Sequence, residues 1–234
     1  MTEVVEFVET TSTPSFGQLP SSRDNAVGAM FGNIPILCGG LDKDYKILDT
    51  CISYQDSKWS HSHLMVQKRS FAAGVKINST TFWILGGTYT MIPYNDYLDS
   101  TEFIIQGHTN GVPGPELPHS LSSMCAVKLS ENEIFVIGGV GVGGYKKEVW
   151  IYDPQNGFAR TKGPSLTTAR YSHSCSAMRD GEKTVIIASG GYNIDSVEIY
   201  DPTDNTWYSG KSNSLPEKIT YYELVFSNLN ISKY

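Results

Sequence analysis

The chain has 234 residues, 22 of them glycine and 11 proline, with 40% hydrophobic and 12% aromatic side chains and a formal net charge of −6. That apolar content supports a packed core and excludes an intrinsically disordered chain. The acidic balance argues against nucleic acid or an anionic membrane as partner, and no apolar run approaches the ~18 residues of a membrane-spanning helix.

The opening, MTEVVEFVETTST, lacks the basic-then-apolar layout of an export signal, so a cytoplasmic protein is expected. Cys38, Cys51, Cys125 and Cys175 are widely spaced and include no C-x-x-C pair. Four cysteines are sparse for a disulfide scaffold, which agrees with an intracellular chain. The sequons at Asn78 and Asn230 then carry no glycan.

Along the chain, Val4–Phe7 and Phe16–Pro20 predict two short strands, after which one pattern occurs four times. The first copy opens with Arg23-Asp-Asn-Ala-Val-Gly28, continues to the apolar run Pro35-Ile-Leu-Cys-Gly-Gly40, and then to Cys51-Ile-Ser-Tyr54 and Trp59. The second has Arg69-Ser-Phe-Ala-Ala-Gly74, Trp83-Ile-Leu-Gly-Gly87 and Thr101-Glu-Phe-Ile104, followed by a Pro/Gly-rich stretch, Gly107 to Pro118, with no closing aromatic. The third lacks the arginine, reading Ser122-Ser-Met-Cys-Ala-Val127, Phe135-Val-Ile-Gly-Gly139, Val149-Trp-Ile-Tyr152 and Phe158. The fourth has Arg170-Tyr-Ser-His-Ser-Cys-Ser176, Val185 to Gly191, Val197-Glu-Ile-Tyr200 and Trp207. A last strand is expected over Ile219–Phe226.

The first glycines of the pairs, Gly39, Gly86, Gly138 and Gly190, are 47, 52 and 52 residues apart. Each period holds four short strands and no helical periodicity, which predicts an all-β repeat protein. Asp153-Pro154 and Asp201-Pro202 stand where the third strand must turn into the fourth.

The stretch from Gly190 to Trp207 closely resembles a kelch repeat, and the resemblance extends in weaker form from about Ser21 to Lys211. It implies a single all-β kelch-type β-propeller domain over residues 1–234, with blades near 22–63, 68–117, 120–165 and 169–212. A fifth, composite blade would combine 1–20 and 218–234, closing the ring and removing its open edge. A partial six-bladed ring is the other arrangement. Kelch propellers serve as non-catalytic protein-interaction modules, among them the substrate-recognition domains of BTB-kelch ubiquitin-ligase adaptors and cytoskeletal binders. The chain is almost wholly consumed by repeats, so no BTB part is expected. The alternative within this fold is a carbohydrate-active enzyme of sugar oxidase or mutarotase type.

Arg23, Arg69 and Arg170 occur at one point of three repeats, with Lys218 comparably placed near the C-terminus. Propeller symmetry would set them around the channel mouth, where a positive ring suits a protein or acidic peptide partner, since arginine grips carboxylates and phosphates bidentately. In kelch adaptors, positions resembling Arg69, Ser70, Arg170 and Tyr192 line such a site. With Arg23 and Asn193 these form the candidate partner-binding set.

Other chemistry is weaker. Gly139-Val-Gly-Val-Gly-Gly144 matches a dinucleotide fingerprint after a strand, but a strand rather than a helix follows, so it reads as an inter-strand loop. His61 and His63, with His108 or His119, lack a fixed third-ligand spacing, so no metal is expected. His173 reads as a packed polar residue near the channel. No nucleophile elbow, Walker loop or acid pair is present, so neither a catalytic residue nor a cofactor is assigned.

Overall fold

A computed structural model describes residues 17–90 and 96–214. The chain divides into two compact units, Met1–Ser120 and Leu121–Tyr234. In the first, β1 (Val27–Phe31), β2 (Ile34–Cys38), β3 (Thr50–Gln55) and β4 (Lys58–Leu64) form one antiparallel sheet in chain order. A second sheet follows from β5 (Ala73–Asn78), β6 (Thr81–Leu85), β7 (Thr101–Ile105) and β8 (Val112–Pro113). The Pro/Gly-rich stretch leaves this outer strand only two residues long.

The second unit contains β9 (Leu121–Ser122), β10 (Cys125–Ser130), β11 (Glu133–Ile137), β12 (Val140–Gly141), β13 (Gly144–Tyr145), β14 (Val149–Asp153) and β15 (Ala159–Lys162). Strands β10, β11, β14 and β15 make a four-stranded sheet, and β9, β12 and β13 a small three-stranded one. The last four-stranded sheet is β16 (Ser174–Asp180), β17 (Lys183–Ser189), β18 (Ser196–Asp201) and β19 (Thr206–Ser214). The protein is all-β: no α-helix occurs among the described residues, and none of their elements is a helix long and apolar enough to cross a membrane. The four sheets coincide with the four sequence periods. The composite fifth blade falls outside the described residues except for 17–20, which form no strand.

The apolar runs that end in Gly-Gly are the second strands of these sheets, and they are covered on both faces. Four of five residues of β6 and of β11 are buried, whereas all four of β15 are exposed. Burial on both faces explains why these strands read as continuous apolar runs instead of alternating. In the first unit Phe31, Ile36, Phe82, Ile84 and Ile104 form the core. In the second, Phe135, Ile137, Val149, Leu166, Ile186 and Tyr200 do so, closed by Trp207. Trp207 stands opposite Tyr200 and donates its indole N–H to the Pro164 carbonyl at 3.0 Å, fastening the fourth sheet onto the third repeat.

Phe158 departs from expectation. It lies in the β14–β15 turn at φ 58°, after a 3-10 turn that the Asp153 carboxylate caps through the Gln155 N–H. Arg160 occupies the place opposite Tyr152 that Trp207 holds opposite Tyr200. The chain from Tyr152 to its partner Arg160 is one residue longer than that from Tyr200 to Trp207, and Phe158 falls within the turn.

The cysteines also depart from expectation. Cys38 and Cys51 are directly opposed on β2 and β3 and are disulfide-bonded, and Cys125 on β10 is bridged to Cys175 on β16. Residues far apart in sequence meet because strand pairing and sheet stacking bring them together, which spacing alone does not reveal.

Candidate functional site

The arginine of the first, second and fourth repeats sits just before the innermost strand. The residue two places on, whether Asn25, Phe71, Ser123 or Ser172, has φ between 51° and 53° in all four repeats. This left-handed elbow turns the arginine back over its own sheet. Arg69 donates to the Gly86 and Ser100 carbonyls at 2.7 and 2.9 Å and pairs with Glu102 at 2.8 Å. Arg170 repeats the pattern with Gly190 O, Ser196 O and Glu198 at 2.8, 3.0 and 2.8 Å. Each carboxylate also caps the approaching chain. Glu102 accepts the Val66 N–H at 2.8 Å, and Glu198 accepts Thr167 N–H and Thr168 N–H at 2.6 and 3.1 Å.

The partner-binding assignment of Arg69 and Arg170 is therefore corrected: both are buried and their charge is consumed inside the repeat. Ser70 is likewise buried, exchanging backbone hydrogen bonds with Thr88. Arg23 is half-buried and donates to Gly39 O, Thr50 O and Thr50 Oγ1 at 2.9, 2.6 and 2.7 Å, so its head group also closes its own sheet. The third repeat replaces the whole device. Leu121 holds the arginine position and Trp150 the glutamate position, an apolar substitute for a buried ion pair. Lys218 lies outside the described residues.

The two remaining candidates, Tyr192 and Asn193, are exposed. The residue after each Gly-Gly pairs with the residue after the arginine position: Leu41 with Asp24, Thr88 with Ser70, Val140 with Ser122. In the fourth repeat both places hold tyrosine, and Tyr192 N–H donates to Tyr171 O at 3.1 Å. Their rings stack at 5.4 Å with 29° between planes, and Tyr145 of the third repeat stacks on Tyr171 at 4.5 Å and 27°. Tyr145 and Tyr192 remain 57% and 45% exposed, and Val142, in the turn of the hairpin that carries Tyr145, 79%. The result is a pre-stacked aromatic platform at a seam between two repeats, with an apolar neighbour and exposed outer rings. Such rigid amphipathic surface is what interfaces use for anchoring.

Tyr145 and Tyr171 are absent from the sequence-derived set. The signal was present, since Tyr171 and Tyr192 are the only aromatic pair at two equivalent positions that elsewhere hold Asp, Ser, Leu, Thr or Val. The Gly139–Gly144 segment, expected as an inter-strand loop, forms a short hairpin of β12 and β13 with no helix after it. Its function in the fold is to deliver Tyr145.

The histidines do not assemble. No group of three or more His, Cys, Asp or Glu side chains suited to a metal occurs among the described residues. His63 donates from Nε2 to the Ile105 carbonyl, 3.1 Å away, and burial, with His108 nearby, lowers its pKa. His173 is buried, neither ring nitrogen has a hydrogen-bond partner among the described residues, and burial beside Arg170 pushes its pKa down to about 3.

No family model matches the chain, and no curated protein does. Among solved structures it is similar to the one described as the structure of YjhT, with a TM-score of 0.71. The likeness covers 85% of this chain and 73% of that one at 12% sequence identity. The fold is propeller-like. At that identity the likeness concerns architecture alone, and the platform of Tyr145, Tyr171 and Tyr192 must be argued on its own chemistry.

Proposed function

We propose that the chain is a kelch-type β-propeller module that binds a partner protein without catalysis, in the manner of an adaptor or cytoskeletal binding domain. The supporting observation is the tyrosine platform. Four repeats share one frame, and among the described residues only the junction of the third and fourth dresses that frame with three stacked aromatic rings, the outer two of them exposed. A fold needs no exposed aromatic stack for stability, whereas an interface gains from rings already ordered before contact. The buried arginines remove the reason to expect an acidic ligand, and the platform favours a partner presenting apolar or aromatic side chains.

The test is capture of partners by the purified chain beside a Tyr145→Ser/Tyr192→Ser variant. Both side chains are exposed, so the variant should keep its melting temperature while losing any partner that the platform holds. A partner retained equally by both proteins would place recognition elsewhere.

A further inference from the structure

Besides the apolar core shared by the third and fourth sheets and the Trp207–Pro164 bond, the seam beneath the platform carries a few specific links. The Ser172 N–H donates to the Ser123 carbonyl at 2.9 Å, and the Arg170 N–H to the Lys146 carbonyl at 3.1 Å. The only covalent link among the described residues of the two repeats is the Cys125–Cys175 bridge, which joins their innermost strands four residues from Tyr171. The two bridges differ in access: Cys38 and Cys51 are 1% and 0% exposed, whereas Cys125 and Cys175 are half-buried.

We propose that the Cys125–Cys175 bridge is a redox-controlled fastener of the tyrosine platform, opened by a dithiol reductant. One reductant thiolate attacks a bridge sulfur, forming a mixed disulfide and releasing the other cysteine as a thiolate that takes up a proton. The second reductant thiolate then displaces the remaining cysteine. The reductant leaves as its own disulfide, and Cys125 and Cys175 are left as two thiols, reduced by two electrons and two protons. Opening the bridge frees a loop spanning 50 residues of separation and removes its constraint on the chain. The platform responds unevenly. Tyr171 and Tyr192 belong to one repeat and keep their stack, while Tyr145 belongs to the other and loses its fixed place on Tyr171. Only the biological use of this device rests on the platform being a binding site.

The experiment treats the oxidised chain with graded dithiothreitol, traps thiols with iodoacetamide and maps them by mass spectrometry. In parallel, the tyrosine ring signals are followed by NMR in 13C-tyrosine protein. Cys125 and Cys175 are expected to be trapped at roughly tenfold lower reductant than Cys38 and Cys51. The Tyr145 ring signal should move with that step while that of Tyr192 stays. A Cys125→Ser/Cys175→Ser variant should show the moved Tyr145 signal without reductant. Trapping of Cys38 and Cys51 first or together with the others, or a Tyr145 signal unmoved by reduction and in the variant, overturns the proposal. If partner capture instead survives Tyr145→Ser, the binding role fails while the trapping order and ring signals still judge the switch.

Discussion

Arg170 and Glu198 lie 2.8 Å apart with both side chains completely buried. Two charges removed from water repay that cost only when their geometry and remaining hydrogen bonds are good. Here the geometry is good and most groups are matched, because the guanidinium also reaches the Gly190 and Ser196 carbonyls and the carboxylate accepts the Thr167 and Thr168 N–H groups, with the Arg170 Nε left buried without a partner among the described residues.

Removing one partner should therefore be costly. Arg170→Met strands a buried carboxylate and is expected to destabilise by about 3–5 kcal/mol. The third repeat suggests the remedy, since it carries Leu121 and Trp150 at these positions. An Arg170→Leu/Glu198→Trp double variant should recover part of the loss in urea unfolding. A double variant less stable than Arg170→Met would show that the third repeat's solution depends on its own surroundings.

Two glycines of the same segment should behave differently. A Cβ at Gly138 would stand 2.5 Å from the Arg170 carbonyl oxygen at φ 60°, so Gly138→Ala is expected to disrupt the seam. At Gly143 the nearest atom to such a Cβ is Lys146 Nζ at 3.7 Å, so Gly143→Ala costs only the left-handed backbone, about 1 kcal/mol. Equal melting temperatures for the two variants would contradict this assignment.

His173 makes stability depend on pH. Its pKa is lowered to about 3 in the fold by burial, then by Arg170, against an ordinary value of 6.5. The unfolded chain therefore takes up this proton first as pH falls. Its contribution is intact above pH 6.5 and lost progressively between there and about 3. Between pH 7 and 5 the loss is about 2 kcal/mol, and His173→Gln should flatten that part of the profile. An unchanged slope in the variant would assign the acid sensitivity to other groups.

Trp207 gives a packing test. Trp207→Phe removes the bond to the Pro164 carbonyl and should cost about 1 kcal/mol, whereas Trp207→Ala empties a buried site and should cost about 3–5 kcal/mol. Thermal unfolding that fails to separate the two would mean the indole N–H carries most of the contact.

The architecture was legible wherever it depends on local chemistry. The Gly-Gly periods fell on second strands because only there is a strand covered on both faces, and Asp153 and Asp201 cap turns as their Asp-Pro pairs suggested. The site was less legible because it depends on what lies opposite. The arginines looked like ligand-binding cations until Glu102 and Glu198 appeared across the sheet, although both occupy the second position of their third strands in sequence. The cysteines gave no cue, since Cys125 and Cys175 meet only through sheet stacking. Tyr145 was hidden in a loop dismissed for lacking a helix.

Arg69 and Arg170 each serve two repeats at once. The side chain closes its own sheet, while the backbone carbonyl accepts the N–H of Gly40 or Gly139 in the repeat before. Backbone hydrogen bonds thus cross each seam both ways, since the Arg170 and Ser172 N–H groups donate back to Lys146 and Ser123 of the third repeat, and the Arg69 and Phe71 N–H groups to Leu48 and Asn25 of the first. Cutting away the fourth repeat would orphan the Gly139 N–H in the third, and cutting away the third would orphan the Arg170 and Ser172 N–H groups while leaving the Arg170 guanidinium its bonds to Gly190, Ser196 and Glu198. Within each unit, either repeat therefore supplies backbone partners to the other, and truncating one should destabilise the one that remains.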